Sequence, residues 1–175
     1  MVICDWTLFN KELIKVKKII EVDDIVIDPF LIINLIEKKD LLLKVANQYS
    51  TSKFPINDSL GPLSHKKLEG RIKVAFLSAD FREHPMGYNF VGFFENLDRS
   101  KFEVIAVSFI EVSDSPLSQR LVAAFDEFKI VNKMTDTEVC QWMREKHIDI
   151  AVDMMGPTLN NRQDRKSTRL NSKSH

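Results

Sequence analysis

Between Arg71 and Met155 the sequence alternates short apolar runs with amphipathic segments, and this alternation limits the possible folds more than any other feature. The runs are IKVAFLS, FEVIAVSF, EFKIV and IDIAVDMM. Each is too short for a stable helix and largely apolar at successive positions, as a strand buried on both faces must be. The segments between them read as helices. GYNFVGFFENL spaces Phe90, Val91, Phe93, Phe94 and Leu97 as a core-facing stripe. SPLSQRLVAAF offers Ser115 as N-cap and Pro116 at the first helical position, where a missing N–H costs nothing. TDTEVCQWMREK opens on Thr135 and Glu138, the spacing of a capping box. Strands joined by helices, β-α-β-α-β-α-β, predict an α/β fold. A parallel sheet covered on both faces, with right-handed crossovers, is Rossmann-like.

Upstream the periodicity is purely helical. Residues 7–20 place Leu8, Phe9, Leu13, Val16, Ile19 and Ile20 near helical spacing, with Thr7 as the expected N-cap. Pro29 precedes FLIINLI and Asp40 opens LLLKVANQYS, which read as two further short helices. From Ser50 to Gly70 the pattern fails: prolines, glycines, serines and lysines predict a linker or strapping loop. The expected organisation is a helical segment over 1–69, a Rossmann-like lobe over 70–163, and a tail over 164–175.

That tail, DRKSTRLNSKSH, has Leu170 as its one apolar residue. Its composition is that of a disordered basic segment. It also closely resembles the read-through translation of a common sequencing adapter, DRKSTRLNSSH, altered by one inserted base. The expectation is that it is foreign to the native chain, which continues past about Gln163. The whole sequence has 25 basic and 25 acidic residues. Setting the tail aside removes four bases and one acid, leaving a net −3 and no polyelectrolyte signal for nucleic acid. A 44% hydrophobic, 29% charged composition is that of a soluble globular protein. Neither a membrane-spanning run nor a secretory leader is legible, and Cys4 and Cys140 form no CxxC pair. The expectation is a cytoplasmic protein with reduced thiols.

Chemistry in an open α/β sheet sits outside the carboxyl ends of the strands. Two loops qualify: Ala79–Met86 after the first strand and Met154–Arg162 after the fourth. In the first, Pro85 disfavours the α region for His84 and holds it extended, so the next helix is expected to begin near Gly87. A helix N-terminus favours the neutral imidazole, which can accept a proton or bind a hydroxyl. The plainer alternative makes His84 a polar loop residue or part of a cap. A single glycine, Gly87, excludes a dinucleotide fingerprint or a P-loop. Asp80 reads as a turn-former bonding nearby backbone N–H groups, and without an acidic neighbour it does not make a response-regulator pair. Asp153 has two readings, a turn-former or a ligand to a hydroxyl. In the second loop Gly156, Pro157 and Thr158 suggest a tight turn. Arg162 reads as a solvated loop residue before a phosphate ligand, and His147 as a helix-end cation.

Taken together, RIKVAFLSADFREHPMGYNFVGFFENLDRSKFEVIAVS, DSPLSQRLVAAFDEF and HIDIAVDMMGPTLNNR resemble the start of the catalytic region of O-linked N-acetylglucosamine transferases, glycosyltransferase family 41. CDW, DPF and the loop before Arg71 resemble the bacterial members, where this stretch joins a tetratricopeptide-repeat array to the catalytic domain. The resemblance covers residues 3 to about 163. It implies the N-terminal half of a GT-B glycosyltransferase, cut before its C-terminal lobe and inactive alone. The implied reaction is inverting transfer of N-acetylglucosamine, or a related sugar, from a UDP donor to Ser or Thr hydroxyls of a protein acceptor. No metal or other cofactor is implied, and neither nucleic acid nor membrane is an expected partner. The family's HP histidine corresponds to His84, as general base or as a residue positioning the sugar. Pro85, Met86, Gly87, Asp153 and Thr158 are the expected substrate-binding residues. Two departures stand out. Pro157 replaces a histidine or tyrosine common in the family, and Tyr88 stands where some members carry a second histidine. The competing readings are an asparagine-glucosylating relative and a non-catalytic Rossmann-like binding module.

The tail reading has a direct test. Deleting Asp164–His175 is expected to leave the thermal melting temperature unchanged, because almost nothing apolar is available to bury. A large loss of stability, read by calorimetry, would show that the tail packs.

Overall fold

In the computed structural model the four apolar runs become four parallel strands. The described residues are 7–22, 25–54, 60–62 and 70–156. The strands are β1 (Ile72–Ser78), β2 (Phe102–Ser108), β3 (Glu127–Ile130) and β4 (Ile150–Asp153), in the spatial order β3-β2-β1-β4. β1 pairs along its whole length with β2, Ile72 opposite Phe102 through Ser78 opposite Ser108, and on its other edge with β4. The result is the expected Rossmann-like α/β arrangement.

The alternation of side chains along β1 sorts them into two cores. Val74 and Phe76 enter one, with Val104, Ala106, Val91 and Phe94. Ala75 and Leu77 enter the other, with Val107, Val139 and Met143. The first face is covered by the helices of residues Pro85–Glu95 and Pro116–Ala123, the second by that of Asp136–Glu145. Phe94 is the hub of the first core. Its ring centroid lies 4.6 Å from that of Phe125 and 5.1 Å from that of Phe76. Edge and tilted packing of this kind adds about 0.5–1.5 kcal/mol per pair beyond burial. Two sequence expectations need correction here. Phe93, assigned to the core stripe, is 46% exposed, because its position on the helix turns it to the rim. Coverage on both faces holds for β1 and β2 but is incomplete for the edge strands, where Ile130 of β3 is 36% and Ile150 of β4 46% exposed.

The amino-terminal edge of the sheet is fastened by charge. The Asp126 carboxylate accepts from the Val104 N–H at 2.8 Å and pairs with Arg71 at 3.1 Å and Arg99 at 3.3 Å. Partial burial pushes this carboxyl up, but the backbone donor and the two guanidinium groups outweigh it and hold it below the usual range.

The chain divides into two compact units, Met1–Pro55 and Ile56–His175. In the first, α1 (Phe9–Val22), α2 (Pro29–Ile32) and α3 (Lys39–Lys53) enclose a small core of Ile20, Ile32, Ile36, Leu41 and Val45. Here too the expectations shift. α1 starts at Phe9, after a turn at Thr7. The segment at Pro29 is one turn, with Asp28 capping it through the Phe30 N–H. α3 is long, opens at Lys39 and takes in Ser50–Lys53, which the composition had assigned to a linker. Polar residues are tolerated in a helix whose other face is anchored by Leu41 and Val45. Among the described residues, no helix is long and apolar enough to cross a membrane. The tail, Pro157, Thr158 and Arg162 lie outside the described residues.

Replacing Phe94 with Ala is expected to cost about 3–5 kcal/mol, a large fraction of the stability of an ordinary domain. Phe93→Ala is expected to cost far less. Denaturant unfolding of the two variants checks the contrast, and equal losses would contradict the packing described.

Candidate active site

The chain visits β1, β2 and β3 on one side of the sheet, then crosses back to place β4 against the other edge of β1. This reversal is a topological switch point, and it leaves a crevice between the carboxyl ends of β1 and β4. The loop Ala79–Met86 and the described start of the second loop, Met154–Gly156, follow those strand ends, and the fold joins them. The Met154 N–H donates to the Leu77 carbonyl at 3.1 Å. The Met155 sulfur, buried, receives the Ala79 N–H at 3.2 Å and the Ser78 hydroxyl at 3.4 Å.

His84 sits at the N-terminus of the helix that leaves the first loop. The structure corrects where that helix, α4 (Pro85–Glu95), begins. It starts at Pro85 and not near Gly87, because a proline ring pre-sets the helical φ and its missing N–H is not needed in the first turn. His84 itself is extended, φ −143° and ψ 150°, as the following proline requires. Its ring caps the helix: Nδ1 accepts the Met86 N–H at 3.3 Å. The cap reading and the functional reading therefore describe two nitrogens of one ring. Nδ1 is engaged with the backbone, and Nε2 has no hydrogen bond among the described residues.

Gly87 has a geometric reason to be glycine. A Cβ there would stand 2.3 Å from the Arg82 carbonyl oxygen and 3.3 Å from a methyl of Leu121. The same carbonyl accepts the His84 N–H at 2.8 Å. The loop thus folds back over the first turn of α4, and only a residue without a side chain lets it do so.

Asp80 behaves differently from the sequence expectation. The local turn is made by Ser78, whose hydroxyl accepts the Asp80 N–H at 3.0 Å. The Asp80 carboxylate, 13% exposed, lies against side chains instead: Arg82 at 3.2 Å on Oδ1, and His84 Nδ1 at 3.6 Å from Oδ2. The Asp-x-x-x-His spacing is in the sequence, but it implies a contact only once the loop geometry is known. At the end of β4, Asp153 is the turn-former: Oδ1 accepts the Met155 N–H at 3.0 Å and Oδ2 the Gly156 N–H at 3.1 Å. Gly156 takes the left-handed conformation, φ 55°. The fold thus brings His84, Pro85, Met86 and Gly87 together at one helix start. Asp153 closes the neighbouring turn, and Thr158 falls outside the described residues. His147, past the end of its helix, is the one described non-glycine residue with positive φ, 55°. Trp142 packs against the second core beside Lys129 and Lys146. Among the described residues no group of three or more His, Cys, Asp or Glu side chains is placed to hold a metal ion.

No family model matches the chain, and neither does any curated protein. Among solved structures, the chain is similar to a mutant of the Thermobaculum terrenum O-GlcNAc transferase, with a TM-score of 0.62 and 27% identity. The likeness covers 75% of this chain and 26% of that one, so this chain spans about a quarter of the transferase. The fold is that of one Rossmann-like lobe of a GT-B glycosyltransferase.

Gly87→Ala is expected to destabilise the protein by about 1–3 kcal/mol through the clash with the Arg82 carbonyl. Gly92→Ala, on the same helix with nothing within 4 Å of its Cβ, is expected to stabilise by roughly 0.5–1 kcal/mol. Opposite shifts in melting temperature are the expected readout.

Proposed function

We propose that the chain is part of an inverting protein O-glycosyltransferase. The donor is a UDP-sugar, N-acetylglucosamine or a close relative, and the acceptor is a Ser or Thr hydroxyl of a protein. The reading rests on one combination: likeness to an O-GlcNAc transferase at 27% identity, with His84 placed over the switch-point crevice. An inverting transfer needs a group near the acceptor hydroxyl and charge stabilisation on the departing diphosphate. His84 Nε2 serves the first need. The second falls to a C-terminal lobe, so Met1–Gln163 alone is expected to transfer no sugar. The organisation proposed is a helical segment to about residue 69, following tetratricopeptide repeats, then the first lobe. Pro85, Met86 and Gly87 shape the floor beside the histidine. Asp153 and Thr158 border the sugar from the facing loop. No metal or other cofactor takes part, and the protein works in the cytoplasm.

The test uses the full-length protein with both lobes. His84→Ala is expected to lower turnover on the order of 10²–10⁴-fold, far more than the ~1 kcal/mol that a lost cap costs in stability. His84→Asn keeps a good capping side chain and is expected to be as inactive while melting close to the parent. Near-full turnover in both variants would leave His84 as a helix cap and remove the catalytic role.

A further inference from the structure

His84 Nδ1 faces two groups that ask opposite things of it. The Met86 N–H, 3.3 Å away, needs a lone pair on Nδ1, which places the ring proton on Nε2. The Asp80 carboxylate, 3.6 Å away, offers an acceptor to a proton on Nδ1, which leaves the lone pair on Nε2. Only the second tautomer can accept a proton through Nε2. A ring fixed as a pure cap can donate from that nitrogen and nothing more.

We propose that Asp80 is a positioning residue that draws the His84 proton onto Nδ1, releases the ring from its capping bond and so arms Nε2 as a base. The proposal rests on the glycosyltransferase reading above for the reaction it serves. In that reaction Nε2 takes the proton of the acceptor hydroxyl, whose oxygen bonds to the anomeric carbon of the nucleoside-diphosphate sugar. The bond from that carbon to the diphosphate oxygen breaks, and its electron pair leaves on the diphosphate. The resulting imidazolium keeps its Nδ1–H on Asp80. The pair is built for this exchange. Asp80 is largely buried, its backbone is held by the Ser78 hydroxyl, and Pro85 prevents His84 from joining the helix. Arg82 on the other carboxylate oxygen sets the strength of the pull, because a guanidinium on Oδ1 lowers the demand of Oδ2 for a proton.

The test reads the tautomer directly and needs no donor or acceptor. Long-range 1H–15N spectra of the His84 ring are recorded on this chain at about pH 8, where an ordinary imidazole is neutral. In the parent, the two ring nitrogens are expected to resonate between the positions of the pure tautomers. Asp80→Asn, nearly isosteric, is expected to move them to the pure Nε2–H form. Arg82→Ala removes an exposed side chain and leaves the loop backbone in place. It is expected to move them the other way, toward Nδ1–H. If Asp80→Asn does not fold, Arg82→Ala decides alone. Ring shifts that ignore the substitutions overturn the proposal. That failure is distinct from failure of the glycosyltransferase reading, which would appear as retained turnover in the His84 variants.

Discussion

β1 is the constraint on which the lobe depends. Its residues from Val74 to Ser78 are all buried, both of its edges are hydrogen-bonded, and its two faces feed two separate cores. A strand in that position cannot slip, since a shift of one residue would exchange the two faces. The loop that leaves it therefore starts from a fixed point. Ser78 and Ala79 are both held by Met155, the Ser78 hydroxyl also accepts the Asp80 N–H, and His84 lies only six residues on from Ser78. Precision at the imidazole is inherited from the strand.

The two edges of the sheet divide labour. The amino edge carries Asp126, Arg71 and Arg99 in ion pairs that tie β2 to the segments around it. Arg99 adds bonds to the carbonyls of Phe94 and Ala124. Those charges are committed to holding the sheet together, although Arg99 Nη1 is buried without a hydrogen-bond partner. The carboxyl edge has fewer fixed charges, a helix start and a buried sulfur. There the polar groups are arranged around a ring that still has one nitrogen to offer.

Much of this was legible in the sequence where the signal is local. Ser115 and Thr135 cap their helices through Ser118 and Glu138, as the spacing implied, because a cap is decided within four residues. The strands were legible because a two-sided buried strand must be apolar throughout. What failed was decided by tertiary context. The exposure of Phe93 and of β4 depends on which neighbours are present, and a helical period does not report it. The length of α3 depends on the anchoring of Leu41 and Val45, which carries the polar Ser50–Lys53 along. At the site, His84 and Pro85 stood out because X-Pro geometry is intrinsic. The pairing of Asp80 with His84 did not, because an extended His84 and a loop folded over Gly87 had to be known first.

The methionine bridge across the crevice has a kinetic meaning as well. Ser78 and Met155 are 77 residues apart, so their contact closes a long loop that takes in β2, β3, β4 and the three connecting helices. Hairpin-like local pairings are absent from a parallel sheet, and each crossover must be ordered before its strand can dock. β1 and β2 can pair while β4 is still unplaced, and Phe94 can collapse onto Phe76 and Phe125 at that stage. The crevice cannot exist until β4 arrives. The contacts of Phe94 with Phe76 and Phe125 therefore draw on β1, β2 and their connections alone, whereas the candidate site also needs β4 in place.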